Sequence, residues 1–523
     1  ISGAAVAVDK PEAILYSDYS SYRPPAAAWR LEGKTLALGK LPGGMERYGN
    51  APKTGEQLSA ARGLYNWPAG KYRMDAGESG RVAGPFVHTV SATSADIEWF
   101  TSRAVARKEW DTPNAKVEIA WGLTPECTNK ATAETDHFGS FSLTGLAPST
   151  KYYFKITSVK PASDLREMTG IEWNRDALEF TTLTSDPPPA TYYVSTTGDN
   201  KNTGLSAGQS LRTLNRAAAL VKPGDTVRIA GGTYHERLYI RATGTPERPI
   251  TFAAAPGERV ELNGDKKALN CLLLSFYKNN LRFDGLHLLS ISSVTPWDGG
   301  VIRLFGGEDI RLTRIFFDGR PGYSPTFLFA RGVRDLLVRN CVSIHSGGFS
   351  PRIMGCPNFR MENSLNVHNL NGGVYLDKSR EGRYVLANNI FTDCQDNKIA
   401  VGIGPLASTE RMLLTNNAWF LRPNRQYQGD EGMVTGCVKM ADFKVMVARD
   451  GGLLGDPKFA VLYRNGFDPT SGIGKDFTIE HLIGRSSAYT NLTFSDFFAT
   501  DPEFVRRKIG LDPDDFRDFY SGR

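Results

Sequence analysis

Four short segments of this chain carry side chains that can bind anions or move protons. They are Ile302-Arg303-Leu304-Phe305, Leu328-Phe329-Ala330-Arg331, Pro351-Arg352-Ile353-Met354 and Val374-Tyr375-Leu376-Asp377-Lys378. Arginine holds a carboxylate or sulfate through two parallel hydrogen bonds. Lysine, histidine and tyrosine can give or take a proton at a reacting centre. A second set, His345, His368 and Asp393, offers two imidazoles and a carboxylate, which suits acid/base work or metal binding. Each of these residues also has an ordinary reading. A lone Arg or Lys on a strand is a solvated group that discourages edge pairing, and a lone His is a turn residue bonded to backbone. Taken singly, each cation is better explained as solvated. Only as a group do they argue for function.

The grouping depends on a repeat. Val338-Arg339-Asn340-Cys341-Val342, Met361-Glu362-Asn363-Ser364-Leu365, Leu386-Ala387-Asn388-Asn389-Ile390 and Leu414-Thr415-Asn416-Asn417-Ala418 superpose on an Asn, at spacings of 23, 25 and 28 residues. One coil of stacked parallel strands takes a comparable number of residues, with insertions in loops. Equivalent positions on successive coils then lie roughly 4.8 Å apart. The repeated Asn is expected to form a structural side-chain amide ladder. Aligned on it, Leu304, Ala330, Ile353 and Leu376 point inward, and Arg303, Phe329, Arg352 and Tyr375 form one outward column. Lys398 continues that column, and Arg331 and Asp377 share the next. His345, His368 and Asp393 each fall four residues past the residue that follows the repeated Asn, on three consecutive coils.

The 523 residues allow two to four domains of roughly 100–200 residues. Gly is 53 of them, beside 20 Tyr, 28 Phe and 8 Trp, a composition of turn-rich β-structure. No apolar stretch reaches the roughly 18–20 residues of a membrane span. The net charge of +6 permits an acidic polymer as partner without demanding one, and nothing points to nucleic acid. The six Cys contain no Cys-x-x-Cys pair, which argues against a zinc ribbon, and they read as small buried hydrophobes. The opening Ile-Ser-Gly fits a processed chain, so a secreted or periplasmic protein is expected.

Residues 1–84 read as an extension of short strands and loops, with a hairpin turning at Gly33. Residues 85–184 alternate apolar and polar side chains, as in Val90-Ser91-Ala92-Thr93-Ser94-Ala95-Asp96-Ile97. The run Leu146-Ala147-Pro148-Ser149-Thr150-Lys151-Tyr152-Tyr153-Phe154 resembles the corner of fibronectin type III domains, which implies a β-sandwich whose Tyr hydroxyl ties a loop to a strand. Residues 185–190 are a Pro-rich linker. From Thr191, Tyr192-Tyr193-Val194-Ser195, the helical Leu211–Val221 stretch, Gly231-Gly232-Thr233-Tyr234 and, at the far end, Gly455-Asp456-Pro457-Lys458-Phe459 resemble right-handed parallel β-helix proteins, especially secreted polysaccharide lyases. The expected fold is therefore all-β. It comprises a fibronectin type III-like sandwich, a right-handed parallel β-helix over 191–500 and a helical tail over 501–523.

Leu376-Asp377-Lys378-Ser379 followed by Asn388-Asn389 is similar to a segment of the chondroitinase B and alginate lyase family, and the resemblance implies Lys378 as catalytic base. The chain then departs from that family. Ala400-Val401-Gly402-Ile403-Gly404 stands where the family has Arg-His-Gly, and Asn371 and Gly373 stand at the nearest offsets to its calcium-binding acids. A calcium ion is the cofactor that the resemblance raises, with no ligand set identified here. Two loops can wall a groove. Residues 293–300 offer Trp297 as a stacking platform, and the polar insertion 422–431 contains Arg425.

On a uronate, β-elimination needs the carboxylate neutralised, the C5 proton removed and the C4 oxygen assisted in leaving. The first expectation is accordingly a monomeric polysaccharide lyase acting on an anionic glycan. Lys378 or His368 is the base, Tyr375 the acid, and Arg303, Arg331, Arg352 and Lys398 hold the substrate. A glycoside hydrolase pairing Asp377 with Asp393 or Asp396 is the second expectation. A non-catalytic glycan binder is the third, and a uronate epimerase shares the lyase's first step.

Overall fold

The computed structural model describes residues 6–7, 28–31, 34–37, 82–101, 115–135, 138–161, 177–264, 271–289, 300–319, 326–344, 346, 348–367, 369, 373–377, 382–392, 401–403, 411–420, 440–459 and 492–520. They fall in two compact units, Ile1–Pro189 with Ile240–Thr243, and Ala190–Tyr239 with Gly244–Arg523.

In the first unit, Ala28–Leu31 pairs antiparallel with Lys34–Ala37. A β-sandwich begins at Val82, three residues before the sequence estimate. One sheet orders Leu178–Thr181, Lys151–Pro161, Ala115–Gly122 and Asn129–Thr135, and the other joins Val82–Val90, Ala95–Thr101 and Phe138–Leu143. Alternation sends Ile97, Val117, Ile119, Leu143, Phe154, Ile156 and Phe180 into one core between the sheets. Full burial of such side chains is worth roughly 1.5–3 kcal/mol each. The Tyr152 hydroxyl accepts a hydrogen bond from the Ala147 N–H at 2.9 Å, so this ring closes the corner that the Leu146–Phe154 run implied. Its ring stacks on Phe180 at 5.8 Å. Asp186, in the Pro-rich segment, accepts from the Ala92 N–H at 2.7 Å.

The second unit is a parallel β-helix. Sheet A runs from Thr191–Val194 to Met412–Thr415, sheet B from Gly232–Tyr234 to Leu453–Leu454, and sheet C from Leu238–Tyr239 to Val401–Ile403. Nine, nine and seven strands are present among the described residues, each pairing in parallel with the equivalent strand of the next coil. At its entrance, Thr213 caps the helix Leu214–Ala218. The Glu236 carboxylate accepts from the Leu214 and Asn215 N–H groups at 2.9 and 3.2 Å, satisfying donors that the helix leaves open.

The turn from sheet A to sheet B explains the repeated Asn. Asn340, Asn363, Asn388 and Asn416 have φ of 53°, 47°, 58° and 50°. Asn enters this left-handed region more readily than other non-Gly residues. Gly285 takes the same turn on an earlier coil, where a Cβ would sit 2.4 Å from the Phe519 ring. The ladder is two columns deep. On the outer column, Asn416 donates to Asn388 Oδ1 at 2.6 Å, and Asn388 to Asn363 Oδ1 at 3.5 Å. Asn340 and Asn363 turn instead to the C-terminal tail, bonding Asp515 and the Lys508 and Gly510 carbonyls. The tighter ladder lies one residue on. The N–H groups of Cys341, Ser364 and Asn389 donate to the side chains of Ser364, Asn389 and Asn417 at 3.1, 2.9 and 2.9 Å. All of those side chains are 2% exposed or less.

The tail spans described residues 492–520 and contains the helices Pro502–Arg506 and Arg517–Tyr520 and two 3-10 turns. Its Phe494, Phe497, Phe504, Ile509, Leu511 and Phe516 pack on Phe316, Val342, Leu365, Ile390 and Ala418, the outer column of sheet B. Under it lies His287, stacked on Phe316 and edge-on to Phe494, both at 5.2 Å. Burial, with Arg259 adding to it, pushes its pKa down to about 3. Cys127, Cys271, Cys341 and Cys356 are buried. Burial pushes the Cys341 and Cys356 thiols up to about 12, so they behave as small hydrophobes.

Candidate active site

Sheet C carries the candidate site. In Gly300–Phe305 and Thr326–Arg331, Ile302, Leu304, Leu328 and Ala330 are fully buried inward residues. Alternation turns the residues between them to the outer face. Backbone pairing puts Arg303 beside Phe329, Phe329 beside Arg352, and Arg352 beside Tyr375. The adjoining outer column runs Phe305, Arg331, Met354, Asp377. Gly402 follows Tyr375, and Lys398 lies outside the described residues.

The face is not an open row of solvated cations. Arg303 and Arg331 are only 4% and 5% exposed, so the expectation that both line an exposed anion-binding surface is corrected. Alternation sends a side chain outward, but the packing above the sheet decides whether water reaches it. Arg352 and Tyr375 are half-buried. The Arg352 guanidinium lies over the Phe329 ring at 5.7 Å, and Phe329 meets Phe305 edge-on at 5.7 Å. A guanidinium held against an aromatic face keeps its charge and presents its fork in a fixed direction.

Tyr375 has a neighbour that sequence reading missed. Phe349, half-buried, packs on the Tyr375 ring at 4.8 Å between centroids and 36° between planes. It stands in the corner between sheets B and C, in Gly348-Phe349-Ser350-Pro351. An aromatic residue after two glycines, immediately ahead of the Arg352 strand, was the available signal. Buried polar groups hold this corner. Ser343 Oγ and Ser350 Oγ are hydrogen-bonded at 2.7 Å, and Ser350 Oγ accepts from the Phe327 N–H at 3.1 Å. Asn366 Nδ2 donates to the Ser350 carbonyl and Asn369 Nδ2 to Asn366 Oδ1. The Ser346 N–H donates to Asn369 Oδ1 at 3.1 Å. The Ser350 N–H reaches the Gly373 carbonyl at 2.7 Å, and the Tyr375 N–H reaches that of Pro351 at 2.9 Å.

The structure thus brings Arg303, Arg331, Arg352, Tyr375 and the backbone of Asp377 onto one face. Lys378, His345, His368, Trp297 and Arg425, with Asp393 and Asp396, lie outside the described residues. Among the described residues no group of three or more His, Cys, Asp or Glu is arranged to hold a metal ion, so no calcium ligand set is identified in them. None of the described helices is long and apolar enough to cross a membrane.

No family model matches the chain. It is 34% identical over 106 residues to the uncharacterized protein YwoF of Bacillus subtilis (strain 168), covering 20% of this chain and 22% of that one, so the match spans about a fifth of that relative's length. Among solved structures, the GH136 lacto-N-biosidase from Eubacterium ramulus is 13% identical, with a TM-score of 0.35 over 46% of this chain and 53% of that one. A rhamnogalacturonan lyase is 15% identical, with a TM-score of 0.33 over 46% of this chain and 71% of that one.

Proposed function

We propose that the protein is a carbohydrate-active enzyme that cleaves an acidic polysaccharide by β-elimination, working outside the cytoplasm as a secreted or periplasmic protein. One observation carries this reading. Coil after coil, one outer face of sheet C presents Arg303, Phe329, Arg352 and Tyr375, with Arg331 and Asp377 in the adjoining column. A stack of fixed positive charges with a phenol at its end suits a polyanion whose reaction develops more negative charge.

In this reading Arg352 pairs with the uronate carboxylate and stabilises the charge that spreads onto it as the C5 proton leaves. Lys378, or His368, takes that proton. The electron pair of the C5–H bond forms the C4–C5 double bond, and the C4–O bond breaks toward the departing sugar. The Tyr375 hydroxyl donates its proton to that oxygen. Arg303 and Arg331, being buried, act through the field they set up and do not touch the sugar.

The test is digestion of polygalacturonate, alginate, hyaluronan and chondroitin sulfate with mass analysis of the products. Elimination yields an unsaturated sugar, lighter than the hydrolysis product by one water and absorbing in the near ultraviolet. Saturated products from any of them would overturn the lyase reading in favour of a hydrolase built on Asp377. Binding without any product would leave a glycan-binding protein.

A further inference from the structure

The Phe349–Tyr375 pair has a feature that the lyase reading does not use. Two partly exposed aromatic rings stand 4.8 Å apart, Phe349 leading into the strand of the half-buried Arg352 and Tyr375 pairing with Arg352 from the next coil. An isolated surface Phe needs no explanation. Here, however, the corner that presents it is fixed from beneath by Ser343, Ser350, Asn366 and Asn369, each 2% exposed or less. A fully satisfied polar network of this kind specifies one geometry. The backbone bonds Ser350–Gly373 and Tyr375–Pro351 lock the same corner to the strand that carries Tyr375. The apolar platform and the cation are therefore held in one rigid arrangement.

We propose that Phe349, Tyr375 and Arg352 form a subsite for a single uronic-acid ring, resting on the proposal that the substrate is an acidic glycan. The C–H face of the sugar lies on the Phe349 ring, and its carboxylate pairs with Arg352. An aromatic face accepts the weakly polarised C–H groups of a pyranose, while the fork of the guanidinium accepts a planar carboxylate and rejects a hydroxymethyl group. The subsite thus selects a uronate over the corresponding neutral sugar, and Phe349 is its specificity-determining platform.

Calorimetry tests this with tetrasaccharides of polygalacturonate, alginate and hyaluronan and their carboxyl-reduced forms. All titrations use a Tyr375→Phe background, which keeps the ring and suppresses turnover. At least one acidic tetrasaccharide is expected to bind, and its reduced form to bind about tenfold more weakly or worse. Adding Phe349→Ala should weaken the acidic form by about tenfold, whereas Phe349→Trp should keep it within about threefold. Adding Arg352→Gln should erase the preference for the acidic form. Circular dichroism and melting curves verify that each variant is folded. The subsite is overturned if Phe349→Ala binds like its parent, if Phe349→Trp fails as badly as Phe349→Ala, or if acidic and reduced forms bind alike. Binding of the acidic form with no unsaturated product from the wild-type protein would sink β-elimination and leave the subsite standing. Elimination that Phe349→Ala does not slow would do the reverse.

Discussion

Sheets B and C repeat the same coil, but their outer columns have opposite chemistry. On sheet B the column is Phe316, Val342, Leu365, Ile390 and Ala418, roofed by the C-terminal tail. On sheet C it is Arg303, Phe329, Arg352 and Tyr375. The inward residues of both sheets are apolar in the main, because they must fill the interior of the coil. The outward residues carry no such constraint, so they show what each face is for. An apolar column needs a permanent cover supplied by the same chain. A charged and aromatic column does not add stability that way, and in the proposed reading its cost is offset when an acidic sugar meets Arg352 and Tyr375.

Four measurements can break or sharpen this contrast. The largest effect is expected on sheet C, where Tyr375→Phe should lower turnover by about 10²–10⁴-fold with little change in melting temperature. A loss of stability matching the loss of activity would make that face structural, like sheet B. On sheet B, Phe494→Ala should destabilise the protein by about 3–5 kcal/mol in denaturant titrations, since the ring packs against Phe316, Phe516, Phe519 and His287. Its turnover at a permissive temperature should stay near wild type.

The third concerns the turn that leads from sheet A into sheet B. Asn389→Ala removes the acceptor of the Ser364 N–H and the donor to the Met361 carbonyl. About 1–3 kcal/mol should be lost, because buried backbone groups are left without partners. A neutral outcome would show that the inner ladder is not needed to keep the coils in register.

The effect smallest within any one pH unit is the pH response under the tail. His287 titrates near 3 in the folded protein, because burial and Arg259 oppose its charging, and near 6.5 when unfolded. Between those values the unfolded chain binds the extra proton, so stability falls as pH falls, by about 1.4 kcal/mol per pH unit. The contribution is fully present above pH 6.5 and shrinks toward pH 3. Denaturant midpoints of wild type and His287→Phe should lie closest at neutral pH and separate on acidification, as the wild type alone loses stability through this site. Parallel curves would assign the acid sensitivity to other groups.

Much of the molecule was legible from its residues. The spacing of Asn340, Asn363, Asn388 and Asn416 gave the coil length, and from it came the pairing of Arg303, Phe329, Arg352 and Tyr375. A period-two alternation leaves one register once a single turn is aligned. The Leu146–Phe154 run located the corner of the sandwich, since a buried Tyr hydroxyl needs a nearby backbone partner. The ladder was legible only in part. The Asn-Asn pairs at 388–389 and 416–417 held both columns, but Cys341 and Ser364 occupy the inner one on the coils before, and their types do not announce the role.

What the sequence determined by itself was the local and periodic part: an all-β chain, a sandwich followed by a parallel β-helix, and which residues share a column. These follow from alternation and spacing, which act over a few residues or one coil. Tertiary structure decided which columns are covered. Arg303 and Arg331 are buried although alternation turns them outward, and Phe349 meets Tyr375 only because a buried Ser/Asn corner folds it there. The tail also chose sheet B over the other faces. Such contacts join residues far apart in the chain, and long-range packing leaves no period to read.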